Sequence, residues 1–252
     1  PHFLFFENKN GFNFLSLQTL FSRAYAGSLH AGDKILDEDR DALHDDDIRI
    51  MQAHKRIIDF NYVPNKSMMT SLMSGMLGST LITHDIYNKN YSEKQYNYFN
   101  EFKKFNRIES NPQTIYSETL RDDFGSFKDS VIKLHPTSTT TNNKDAQHYN
   151  QNNLTLYESN RPQNWIQQLN AKRAELENTQ MINMTIHGNS LYTVGDMVEL
   201  FFPITGQDHD RDEVDFSSGN YLISKLRHSF TPPTNNHVIH MSAVRDCNRI
   251  KV

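Results

Sequence analysis

The stretch LYTVGDMVELFFPITGQDHDRDEVDFSSGNYLISKLRHSFTPPTNNHVIHMSAVRDC, Leu191 to Cys247, decides the fold of this chain. Gly195-Asp196 signals a turn just before Met197, Val198, Glu199, Leu200 and Phe201, residues suited to a pleated, half-buried backbone. The loop from Gly206 to Gly219 carries Asp208, Asp210, Arg211, Asp212, Glu213 and Asp215, too much charge to bury unpaired, so it is expected in water. Ser218-Gly219-Asn220 supplies positive φ before Tyr221 opens a second strand, Tyr221 to Phe230. Pro232-Pro233 cannot donate ladder hydrogen bonds and forces a connection to Val238. In the third strand Ile239, Met241 and Ala243 share one face, and His240, Ser242 and Arg245 lie off it, a period of two with one wet side. The three strands predict an antiparallel meander.

Working towards the N-terminus, Met181 to His187 predicts another strand, with Ile182, Met184 and Ile186 alternating with Asn183, Thr185 and His187. Before it, Asn160 and Pro162 open a helix with Trp165, Leu169 and Leu176 on one side and Lys172, Arg173, Glu175 and Glu177 on the other. The composition shifts between Arg107 and Asn160, and TSTTTNNKDAQHYNQNN, Thr137 to Asn153, has almost nothing to bury and predicts a mobile loop. Tyr96, Tyr98, Phe99, Phe102 and Phe105 form an aromatic segment of undetermined type, preceded by a strand within Ser79 to Tyr91. Asn65 or Ser67 caps a helix whose Met68, Met69, Leu72, Met73, Met76 and Leu77 form an apolar stripe, expected as ordinary packing against a sheet. RIIDFNY, within Ile48 to Tyr62, predicts a strand closed by Pro64, and Gly32 to Asp47 is an acidic connector expected to be solvated. At the start, Phe3 to Phe6 and Asn8-Lys9-Asn10-Gly11 predict a hairpin. From Ser16 as N-cap, Leu17, Leu20, Phe21 and Ala24 recur at helical spacing up to Gly27.

The pattern of Gly195, Asp196, Val198 and Leu200, then Ser218, Gly219, Tyr221, Ile223, His228 and Phe230, then Arg245 and Asp246, resembles the closing barrel domain of baseplate hub proteins of contractile-tailed phages. FLFFENKNGFNFLSL, Phe3 to Leu17, resembles a second segment of the same hubs, where a strand, a tight turn and a strand lead into a helix. The resemblance implies an α+β, mainly antiparallel β fold, a tail-tube-like β-barrel with flanking helices and an inserted segment. Its structural motif residues are Gly195, Asp196, Gly219, Tyr221 and His228. The implied organisation is an N-terminal α+β segment over 1–47, a barrel from 48–105 and 178–252, and an insertion over 106–177. It further implies a homotrimer forming one pseudo-sixfold ring in the virion, with two tube-like barrels per chain, assembled in the host cytoplasm. Tail tube protein, central spike protein and other baseplate proteins are the implied partners, with DNA only as passing cargo. It also implies a tube-like domain preceding Pro1; a native mass of 29.4 kDa would count against that.

Composition narrows the function classes. At 252 residues and 37% hydrophobic the chain can bury a core of its own. Cys247 is the one cysteine, which excludes an intrachain disulfide framework and suits assembly inside a cell. No apolar run reaches the roughly 18 to 20 residues of a membrane helix, and no leader is read at Pro1, so neither membrane insertion nor a signal peptide is expected. The net charge of −4 argues against general nucleic-acid affinity. Against the twelve-residue calcium template, Asp37 puts Ala42 where glycine is required and Ile48 where the bidentate glutamate belongs, and Asp208 puts Glu213 and Gly219 there. His237 and His240 are three apart on a strand and make poor co-ligands, and His228 reads as a hydrogen-bonded structural histidine. With no nucleophile elbow, phosphate loop or dinucleotide fingerprint, neither catalysis, cofactor nor metal is expected. The alternatives are a tail-associated peptidoglycan hydrolase, since 30 acidic residues leave a suitably separated carboxylate pair open, and a carbohydrate-binding receptor module stacking sugars on Tyr91, Tyr96 and Tyr98.

Overall fold

The computed structural model describes residues 3–31, 54–63, 68–85, 89–104, 106–110, 131–137, 166–177, 180–202, 215–232, 236–247 and 249. The chain divides into two compact units, one of Pro1–Lys66, Lys104–Ile115 and Leu176–Val252, the other of Ser67–Lys103 and Tyr116–Glu175. The acidic stretches from Asp33 to Asp47 and from Asp208 to Glu213, the polar run from Ser138 to Asn153, and Asn160, Pro162 and Trp165 lie outside the described residues.

The first unit opens with the expected hairpin, β1 (Phe3–Asn8) and β2 (Gly11–Ser16), antiparallel with Asn8 opposite Gly11. Helix α1 (Leu17–Phe21) follows, and its Ser16 cap accepts a hydrogen bond from the Thr19 amide at 3.2 Å. The helix stops at Phe21 and does not run to Gly27, because Tyr25–Ala31 is needed as strand β3, whose Leu29 is fully buried in the barrel. Gly27 serves a close approach there: a Cβ would lie 2.9 Å from the Tyr192 hydroxyl. Strand β4 (Arg56–Val63) completes this part of the first unit.

The second unit holds α2 (Met68–Ser74), β5 (Gly78–Asp85), β6 (Asn90–Asn97), α3 (Tyr98–Glu101) and β7 (Ile132–Thr137). β5 lies between antiparallel β6 and parallel β7. The expected methionine stripe is split, because the helix ends at Gly75, whose φ is +75°. Met76 and Leu77, beyond that end, are buried, whereas Met69 and Met73 on the helix are exposed. Within this unit, buried Gln167 donates to the Ser79 and Lys94 carbonyls, both at 3.0 Å. Gln167 belongs to α4 (Ile166–Glu177), which leads back to the first unit.

The C-terminal strands are β8 (Met181–His187), β9 (Met197–Phe201), β10 (Gly219–Thr231) and β11 (Asn236–Val244). They form a closed six-stranded barrel with β3 and β4 in the order β10-β11-β8-β4-β3-β9. The fold is thus α+β and mainly antiparallel β, with β3 parallel to both of its neighbours. The meander β9-β10-β11 is present, but the barrel's boundaries differ from those expected: it takes 25–31 from the N-terminal segment and leaves 78–97 to the other sheet. Alternation sets which face of a strand is apolar, not which strand it pairs with.

Two apolar layers hold the first unit. Inside the barrel Leu29, Ile57, Ile182, Ile186, Val198, Leu200, Tyr221, Ile223, Ile239, Met241 and Ala243 pack together. Outside, the opposite faces of the same strands present Met197, Leu222 and Val244, which α1 covers with Leu17 and Leu20 and the hairpin with Leu4, Phe6 and Leu15. Full burial of Leu17 and Leu20 contributes roughly 1.5–3 kcal/mol each, and the half-buried Leu4, Phe6 and Leu15 add a part of that each, fixing the hairpin on the barrel wall.

Candidate functional site

Ser218, Gly219, Tyr221, Arg245 and Asp246, all among the residues that carry the sequence resemblance, meet at one seam, where β9, β10 and the end of β11 come together. Arg245, just past β11, is fully buried, contrary to its expected place off the apolar face. The ladder ends at Val244, so strand parity no longer applies to it. Its guanidinium donates to the carbonyls of Phe216 at 3.0 Å, Ser218 at 3.3 Å and Ser217 at 3.4 Å, and also to Gln180 Oε1. It also lies 5.1 Å from the Tyr221 ring centroid. One side chain therefore satisfies the consecutive carbonyls 216–218 that lead into β10.

Tyr221 and Asp246 complete the seam. The Tyr221 hydroxyl donates to the Ser217 carbonyl at 2.6 Å, and burial raises its pKa. Tyr221→Phe is expected to cost about 1–2 kcal/mol, since it removes a buried donor and leaves that carbonyl with the weaker Arg245 bond; urea unfolding would read it as a lower midpoint with unchanged slope. Asp246, also fully buried, accepts from the Ile108 amide at 3.1 Å and lies 3.9 Å from Arg107. The Cys247 thiol donates to the Glu109 carbonyl at 3.0 Å. Glu109 accepts from the Asn220 amide at 2.8 Å, and burial raises its pKa against that hydrogen bond and Arg249. Gly219 sits beside this carboxylate with φ +141°, and a Cβ there would lie 2.9 Å from Oε1.

Gly195 and Asp196 do a different job at the other end of β9. The Gly195 amide donates to the Ile223 carbonyl at 3.0 Å, and the Ile223 amide donates to the Asp196 carbonyl at 2.9 Å. Gly195 has φ +89°, and a Cβ would lie 2.7 Å from the Phe6 ring. Asp196 accepts from the Thr193 amide at 3.3 Å and pairs with Arg23 at 3.8 Å. Lys9, at the hairpin turn, donates to the carbonyls of Ser190 at 3.0 Å and Leu191 at 2.7 Å. The Gly-Asp turn and the loop before it are thus the seat of the N-terminal hairpin. The two stretches that carry the resemblance touch each other.

His228 stands apart from both, near the far end of β10. Its Nδ1 is 2.9 Å from His237 Nε2, and Phe230 stacks on His237 at 4.1 Å. Partial burial, then the charge of His237, lowers its pKa below the ordinary value. Because the folded state binds the His228 proton less tightly than the unfolded chain, the stabilising contribution of neutral His228 is present above the unfolded value near 6.5 and is lost as pH falls through the folded one. A Cβ on Gly188 would lie 2.0 Å from His237 Nδ1. Gly188→Ala should therefore swing His237 aside and return the His228 pKa towards 6.5, read by an NMR titration of the imidazole protons.

The outer face of four barrel strands is polar. Asp59, Thr185, His240 and Arg227 align across β4, β8, β11 and β10, and Asn61, Asn183, Ser242 and Lys225 form the next row. Thr185 and His240 bond at 3.1 Å and Ser242 donates to Asn183 at 2.7 Å, lining a shallow groove of about 380 Å3. Alternation makes these rows legible in each strand, but their alignment depends on register. Among the described residues no three His, Cys, Asp or Glu side chains gather as a metal site, and no helix is long and apolar enough to cross a membrane. Of the tyrosines considered for sugar stacking, Tyr96 and Tyr98 are buried, and Tyr98 donates to Glu175 at 2.9 Å; only Tyr91 is exposed. That face is spent on packing.

No protein-family model matches the chain, and no curated protein matches it. Among solved structures it is similar to the tail protein from Neisseria meningitidis MC58, with a TM-score of 0.41 and 8% identity, over 89% of this chain and 45% of that one. The chain therefore spans less than half the length of that protein.

Proposed function

We propose that this chain is a structural subunit of the baseplate hub of a contractile phage tail. Three copies close a pseudo-sixfold ring that joins the tail tube protein to the central spike protein, contacts other baseplate proteins and lets DNA pass. One observation carries this: the two separated stretches that resemble the hubs are folded against each other, with Phe6 of the hairpin seated on Gly195 of the barrel. A chance match at each end has no reason to converge in space. The seam residues Arg245, Asp246, Tyr221 and Gly219 are occupied in fixing backbone, a role of shape and not turnover. The polar rows on the outer wall, with Asp59 set among Thr185, His240 and Arg227 and Lys225 in the next row, suit a surface facing water.

Reconstruction of the intact particle by electron microscopy tests this reading. It expects three copies around the tail axis, between tube and spike. One copy per particle, or copies remote from that axis, would end it. Clearing of purified peptidoglycan by the isolated protein would favour the hydrolase instead.

A further inference from the structure

The N-terminal hairpin turns an apolar face outward. Phe3, Phe5, Phe12 and Phe14 are 49, 70, 73 and 66% exposed, while Leu4, Phe6 and Leu15 from the opposite face pack on the barrel. The four rings form two stacked pairs, Phe3 on Phe14 at 5.0 Å and Phe5 on Phe12 at 5.7 Å, so they make one continuous surface. Among the described residues neither outer edge of the hairpin is paired. The only charge on that face is Glu7, opposite Phe12.

We propose that this phenylalanine face is the contact by which one copy of the chain docks on a second copy. This rests on the ring reading above and names the surface that would build the ring. Four phenylalanines at these exposures present roughly 500 Å2 of aromatic surface, against the roughly 800 Å2 per partner that a stable interface needs. The hairpin's free edges can add backbone pairing to the remainder. Its composition points to a permanent partner: interfaces that form and dissociate are about as polar as ordinary surface, whereas those between obligate copies resemble a core cut in half. A nearly uncharged aromatic face does not fit DNA, whose recognition needs cations on phosphate.

The test compares the full chain with its Phe5→Lys/Phe12→Lys variant by sedimentation equilibrium, with circular dichroism as the check on folding. The expected result is an oligomeric parent and a folded, monomeric variant, dissociation being favoured by roughly 100-fold or more. A folded variant that assembles like the parent overturns the proposed surface and leaves the ring reading intact. A parent that is monomeric at every concentration overturns both. Phe12→Cys supplies a measurement that does not require the double variant to fold, because the native Cys247 is buried. Its maleimide labelling should be at least about tenfold slower in the assembled protein than after dilution to monomer, as burial in an interface restricts access to a thiol. Equal rates would mean that the face is left for something other than this chain, and would overturn the proposal.

Discussion

Replacing Arg245 by methionine should lower the unfolding free energy by about 3–5 kcal/mol, because it strips the donor from several buried acceptors at once, each costing about 1–3 kcal/mol. Methionine restores most of the volume and none of the donors. The carbonyls of Phe216 and Ser218 would lose their Arg245 bonds, and Ser217 would keep only the Tyr221 hydroxyl. The Gln180 side-chain oxygen loses that donor as well, and the half-exposure of Phe216 keeps the sum towards the lower end. Measured against a whole-domain stability of about 5–15 kcal/mol, this substitution brings the barrel close to its threshold. The check is urea denaturation followed by tryptophan-independent circular dichroism. An unchanged midpoint would show that the guanidinium is not what holds the 216–218 segment. Arg245→Lys is expected to recover only a small part of the loss, because an ammonium cannot bridge several carbonyls from one plane.

Gly195→Val should have the second-largest effect, about 2–4 kcal/mol, and a distinct signature. A residue with a Cβ at φ +89° pays about 1–2 kcal/mol for the left-handed backbone, and the branched side chain must also displace the Phe6 ring. The Phe6 ring is part of the layer that fixes the hairpin to the barrel wall. Hydrogen exchange should therefore show faster exchange over Phe3 to Ser16 than the global loss accounts for, while the β10-β11 ladder slows or quickens only with overall stability. Uniform acceleration across the barrel would contradict the assignment of this glycine as the hairpin's seat. The same variant would weaken assembly if the phenylalanine face is the docking surface, since that face is presented only while the hairpin is seated.

The elements legible in the sequence were those whose signal is local. The Asn-Gly turn, the Ser16 cap and the strands from Met197, Tyr221 and Val238 stand where the pattern puts them. The helix from Leu17 is shorter than its pattern predicts: Ala24 fits the spacing and Gly27 reads as its stop, but Tyr25–Ala31 is a strand whose Leu29 lies in the barrel interior. His228 was legible as a hydrogen-bonded histidine, but its partner His237 was not, since that pairing needs the β10-β11 register. The phenylalanine face could be drawn by alternating Phe3, Phe5, Phe12 and Phe14 across an Asn-Gly turn. Which face of the hairpin would meet the barrel could not, as both faces are apolar.

By itself the sequence determined that this chain is built of short alternating strands, where its tight turns fall, and which face of each C-terminal strand is apolar. Backbone propensity and a period of two act over a few residues, so a few residues suffice to specify them. Tertiary structure alone decided that Tyr25–Ala31 closes the barrel while 78–97 pairs elsewhere, and that Arg245 is drawn fully inside. It also decided that the hairpin packs Leu4 and Phe6, half-buried, on the barrel and leaves four phenylalanines in water. Those outcomes depend on which distant segment supplies a matching edge, carbonyl or cavity, and no local pattern encodes the identity of a partner.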